Sequence, residues 1–187
     1  RSGYINAAEK LLTNPLASSL SATNYDTAQY KLAASATACS GLTYGAMPND
    51  NSVDFGADGN YKVCVKLTDN AGNTTAYGSN TAFALKTASP SFSALALAND
   101  AANGYINAAE RALTAALASA ATGSGFDTAA YALVDGSATC NGTLTYGSMP
   151  NDNSSDFGAD GNYKICAKLT DNAGNPASYG SSSTMVL

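Results

Sequence analysis

Tyr61-Lys62-Val63-Cys64-Val65-Lys66-Leu67-Thr68, followed by Asp69-Asn70-Ala71-Gly72-Asn73, decides the fold. Tyr61, Val63, Val65 and Leu67 alternate with Lys62, Cys64 and Lys66. That is the period-two pattern of a strand with one face in a core and one face toward water. Asp69 to Asn73 reads as a hairpin turn, because Asp and Asn bond their own backbone and Gly supplies a left-handed residue. The stretch returns as Tyr163-Lys164-Ile165-Cys166-Ala167-Lys168-Leu169 and runs on to Asn175.

The return is general. Gly3-Tyr4-Ile5-Asn6-Ala7-Ala8-Glu9 comes back as Gly104 to Glu110, and Met47-Pro48-Asn49-Asp50-Asn51 as Met149 to Asn153. The period is about 101 residues, the size of a whole domain rather than of a solenoid unit. Domain one is expected over residues 1–88 and domain two over 89–187, with Lys86 to Pro90 as the linker. Further strands are expected from Tyr30 and Tyr131 onward, at Leu16 to Ala22, and at Thr81 to Leu85 as the return strand of the hairpin. Ser91 to Ala98 is expected as the first strand of domain two. Domain one is expected to lack a counterpart of it and to show an open sheet edge; the alternative is that Phe92 to Ala98 closes domain one instead. Ala108 to Ala120 looks helical, but Pro15 at the matched place forbids a long helix there. A short turn capped by Asn107 with Glu110 three residues on satisfies both copies. Many short strands separated by turn signals make an all-β chain of two sandwiches.

The composition narrows the function. Charged residues are 12% of the chain, the net charge is -5, and there is no His and no Trp. No basic patch is available for nucleic acid, and no apolar run approaches the ~20 residues that span a bilayer. With no His there is no Ser-His-Asp set, and no glycine-rich phosphate loop exists, so an enzyme is not expected. The four cysteines fall two to a copy, Cys39 with Cys64 and Cys140 with Cys166. This reads as one disulfide per domain and an oxidising, extracellular setting. The competing zinc reading needs four soft ligands, where each copy offers two Cys and no His. Because Cys64 and Cys166 alternate with the core residues, the bridge is expected to face outward and to join neighbouring strands.

Pro90-Ser91-Phe92, Ile106-Asn107-Ala108-Ala109-Glu110, Asp160-Gly161-Asn162-Tyr163 and Leu169 to Asn175, in that order, resemble the bacterial immunoglobulin-like tandem repeats of large surface adhesins. The resemblance covers nearly all of both copies. It implies two tandem Ig-like seven-stranded antiparallel β-sandwiches, strung as a stalk that presents a distal binding region at the bacterial cell surface. The alternative is that the domains themselves bind a host or neighbour-cell protein or glycan. Neighbouring repeats of the same chain are the expected partners. The cysteine pair is not a usual feature of those repeats.

Two oxygen-rich loops are candidate calcium sites. Asn99 to Glu110 lines up with a twelve-residue calcium loop, with Asn99, Asn103 and Glu110 at ligand positions, Asp100 beside them and Gly104 at the turn. Ala101 is a missing ligand there. The second cluster is Asp50, Asp54 and Asp58, matched by Asp152, Asp156 and Asp160. The plain alternatives are a capped helical turn for the first loop and an Asx-turn connection for the second. In a sandwich the loops of domain two should meet at one end, where a cation would relieve the repulsion of their carboxylates.

Overall fold

The computed structural model describes residues 3–18 and 20–187. They form two compact units, one ending at Ala88 and one running Ser89–Leu187. Unit 1 holds β1 (Tyr4–Ile5), β2 (Thr27–Ala34), β3 (Gly59–Thr68), β4 (Thr74–Ser79) and β5 (Phe83–Leu85). β3 is the centre of its sheet. β2 pairs along one edge in full register, Thr27 opposite Thr68 to Ala34 opposite Tyr61. β4 and β5 share the other edge, and β1 adds to β5 in parallel.

Unit 2 holds β6 (Ser91–Ala94), β7 (Thr122–Ser124), β8 (Thr128–Asp135), β9 (Asn162–Thr170), β10 (Ser178–Ser181) and β11 (Met185–Val186). β9 repeats the part of β3, flanked by β8 on one side and by β10 and β11 on the other. β6 and β7 form a separate antiparallel ladder. No described helix is long and apolar enough to cross a membrane.

The period-two reading holds in both central strands. Tyr61 and Val63 enter the core of unit 1 with Ile5, Leu32, Phe55 and Leu85. Ile165, Ala167 and Leu169 enter that of unit 2 with Leu117, Leu133 and Met185. Fully burying one such leucine contributes roughly 1.5–3 kcal/mol. Each aromatic centre is built the same way. The Tyr61 ring meets Phe55 edge to face at 5.0 Å, and Tyr163 meets Phe157 at 5.1 Å. Each phenol donates to a carbonyl four residues upstream, Ala57 or Ala159, at 2.7 Å.

Three expectations change. The strand after the Asp69 turn is β4, starting at Thr74, and Phe83–Leu85 is a separate short strand on the same edge. Leu16 to Ala22 forms no strand: Pro15 bridges Asn49, and the described residues beyond it run irregularly. In unit 2 the matched segment does pair, with β6 through β7 and through a bridge from Leu97 to Ala118. Among the described residues of unit 1 no strand takes the place of β6, and a strand without a partner leaves its backbone groups unpaired. The cysteine expectation also changes, and it belongs with the site.

Candidate functional site

Cys39 bonds Cys64, and Cys140 bonds Cys166, with Cα atoms 5.6 and 5.4 Å apart. Cys64 and Cys166 lie on the face opposite the core, as alternation requires. Their partners are not on neighbouring strands. Cys39 and Cys140 sit in the loops that follow β2 and β8. Those loops fold over the outer face and bury Cys64 and Cys166 completely, both 0% exposed. An outward-pointing position thus becomes an interior one beneath a flap.

Tyrosines hold the same flap. The Tyr44 ring meets Tyr77 of β4 at 6.0 Å, and Tyr146 meets Tyr179 of β10 at 5.8 Å. Tyr44 donates to the Cys39 carbonyl, and Tyr146 to that of Asn141 at 3.1 Å. Gly45 and Gly147 then pair with Tyr30 and Tyr131 as isolated bridges. Burial raises the Tyr44 and Tyr146 hydroxyls above their ordinary value, and the facing tyrosine adds to this. Sequence reasoning missed this clamp. Its signal was the recurrence of Tyr44 with Tyr77 as Tyr146 with Tyr179.

The candidate calcium residues divide. Asp100, Glu110 and Asp152 come together in unit 2. Asp152 is 0% exposed. One of its carboxylate oxygens accepts the Ala115 N–H at 3.1 Å, and the other is buried without a hydrogen-bond partner. Burial pushes its carboxyl above the ordinary range. The charge of Asp100, a close side-chain approach of that same carboxyl and the charge of Glu110 push the same way, against the Ala115 N–H. Even so, no three carboxylates among the described residues stand close enough together to hold a metal as they are.

The remaining candidates have the following local surroundings. Asn107 accepts the Ala109 and Glu110 N–H groups, and Glu110 reaches back to accept the Asn107 N–H at 2.8 Å. This is a capping box around the 3-10 turn Glu110–Ala112, repeated by Asn6 and Glu9. Asn99, at φ 50°, donates its amide to the Ala116 carbonyl, and Asn103 accepts the Tyr105 N–H. The Asp156 N–H donates to the Ser154 hydroxyl in an ST-type turn, and that hydroxyl donates to the Asp156 carboxylate. Asp160 is exposed. In unit 1 Asp50 is buried, and Asp54 pairs with Lys31 at 2.6 Å. Asp58 accepts the N–H groups of Thr87 and Ala88 and the Thr87 hydroxyl. Burial alone would raise the Asp58 carboxyl, but these bonds outweigh it and hold it below the ordinary range.

Two copies of a sandwich with one clamped outer flap define a pair of disulfide-braced immunoglobulin-like domains. The chain belongs to the bacterial Ig-like domain family, whose model matches residues 10–84 and 89–186. A solved structure from work on host cell surface retention of a 1.5-MDa bacterial ice-binding adhesin is similar over 98% of this chain, at 19% identity and a TM-score of 0.43. This chain spans 60% of that one. No curated protein matches.

Proposed function

We propose that the chain supplies stalk repeats of a secreted bacterial surface adhesin and holds a distal binding region away from the cell. The observation that carries this reading is the faithful duplication of structural devices. The disulfide, the tyrosine clamp and the capping box recur in both units, and none of them is a catalytic constellation. A disulfide implies an oxidising location, which suits the cell surface. Neighbouring repeats are the partners of such a chain. Replacing these domains in the parent protein by unrelated Ig-like domains of equal number tests the reading. A stalk keeps adhesion after the exchange. Loss of adhesion with the distal region intact would show that the domains are themselves the protein- or glycan-binding module.

Calcium belongs to this proposal at one place. Asp100, Glu110 and Asp152 offer hard oxygen donors, and the unpartnered buried oxygen of Asp152 is a group that a divalent cation would satisfy. The ion would have to draw the other two carboxylates inward. Unit 2 should then melt several degrees higher in millimolar calcium than in EDTA. Identical melting in the two buffers would remove calcium from the account.

A further inference from the structure

One charge distinguishes the two copies beside the strand that precedes the flap. In unit 1 the Lys31 ammonium, on β2, reaches the Asp54 carboxylate at 2.6 Å. By the internal repeat, Ala132 of β8 stands where Lys31 does, and Asp156 where Asp54 does. Unit 2 keeps the carboxylate and lacks the lysine. Asp156 is exposed, its bonds are to Ser154, and it forms no ion pair among the described residues.

A groove of about 540 Å³ lies between these positions in unit 2. Its lining includes Ala132 and Leu133 of β8, the apolar side chains of Leu144 and Met149, and the polar pair Ser154 and Asp156. The same walls recur in unit 1 as Leu32, Leu42, Met47 and Ser52. The difference between the copies is therefore the lysine that crosses the matched place. One edge of the groove is a strand edge. Tyr131 exchanges both backbone bonds with Gly147 at 2.8 Å. Backbone groups alternate sides along a strand, so the N–H and C=O of Leu133 point to the same outer side. There they meet no backbone partner among the described residues.

We propose that this groove seats a lysine side chain carried by an extended segment of a partner polypeptide. Unit 1 fixes the chemistry of the occupant, because it brings a primary ammonium to the matched carboxylate with its own lysine. The free backbone of Leu133 fixes its form, because a strand edge accepts another strand through main-chain bonds. The lysine stem lies along Leu144 and Met149, as long cationic side chains cover apolar surface. Its ammonium pairs with Asp156, while the segment bonds Leu133. An exposed ion pair alone is weak, so the stem and the main-chain bonds carry a share of the affinity. The net charge of -5 favours the approach of a cationic segment. In unit 1 Lys31 already fills the place, so the chain offers one such seat.

The test titrates the full chain with a labelled, end-capped peptide of sequence Thr-Val-Lys-Val-Thr and follows fluorescence anisotropy and calorimetry. Saturable binding at one site per chain is expected. Norleucine in place of the peptide lysine, which leaves the protein untouched, weakens it at least tenfold, and so does Asp156→Asn in the chain. Ala132→Lys supplies the groove with its own ammonium and abolishes binding. Lys31→Ala opens the matched place in unit 1 and raises the stoichiometry from one to two. The proposal is overturned if the peptide does not saturate, if the norleucine peptide or Asp156→Asn binds as the parent does, or if Lys31→Ala still shows one site. It is also overturned if n-butylammonium alone binds as tightly as the peptide, which would make the groove a seat for small amines.

Discussion

Two glycines at one repeat position have opposite surroundings. A Cβ on Gly180 would lie 2.1 Å from the Phe92 ring, whereas one on Gly78 makes an ordinary 3.6 Å contact with Val65. Gly180→Ala should therefore cost unit 2 about 1–3 kcal/mol through overpacking. Gly78→Ala should stay within about 0.5 kcal/mol of the parent in a denaturant melt. Two aspartates should give opposite pH dependences. Asp152 has its carboxyl raised, first by burial and then by Asp100. Native unit 2 therefore holds more protons than the unfolded chain between the ordinary carboxylate value and the raised one. The stability owed to this residue is full below the ordinary value and declines as pH rises through that window. Asp152→Asn keeps an acceptor for Ala115 and should raise the EDTA melting temperature at pH 7 by a few degrees. It should also abolish any calcium effect, and parallel pH–melting curves for variant and parent would refute this. Asp171 behaves in the reverse sense. Burial would raise it, but the bonds from Asn175, Ala173 and Gly174 prevail and lower it. Its contribution is present above the ordinary carboxylate value and is lost as pH falls through the lowered one. Asp171→Ala should cost about 1 kcal/mol at pH 7.

The flap clamp is the decisive element. A disulfide closing a separation of 25 residues stabilises by ~3.5 kcal/mol in the chain-entropy model. Replacing Cys39 and Cys64 together by alanine should lower the stability of unit 1 by about that amount, read from a urea melt. An unchanged midpoint would show that the tyrosines alone hold the flap. These elements also show what the sequence made legible. The alternation from Tyr61 to Leu67, the turn of Asp69 and the capping box of Asn107 with Glu110 are local, and their residue types dictate them. The pairing of the cysteines followed from counting them. The environment of Cys64 did not, because alternation tells only which way a side chain points from its own strand. Whether a distant loop returns to cover it is a tertiary matter. The same limit applied to Leu16 to Ala22, whose strand depends on a partner that the segment cannot supply. It applied again to the acidic loops, where spacing suited Asn99, Asn103 and Glu110 to a cation, while the backbone used each of them for its own hydrogen bonds.

On the scale of the whole molecule, the two units are alike in plan, and β6 has no counterpart among the described residues of unit 1. Unit 2 has β6, with Leu95 and Leu169 buried, while unit 1 keeps the matched surface open. Two thermal transitions are therefore expected, that of unit 1 lower, and a single shared transition would mean that β6 carries little energy. If the units serve as the proposed stalk repeats, each must bear tension as an independently clamped sandwich. Single-molecule extension of the chain under oxidising and then reducing conditions tests it most directly. Two separate unfolding steps are predicted, with unit 1 yielding at the lower force. Each step should lengthen by about 90 Å on reduction, as roughly 25 locked residues become extensible at ~3.5 Å apiece. A single step, or step lengths that do not change on reduction, would contradict the account.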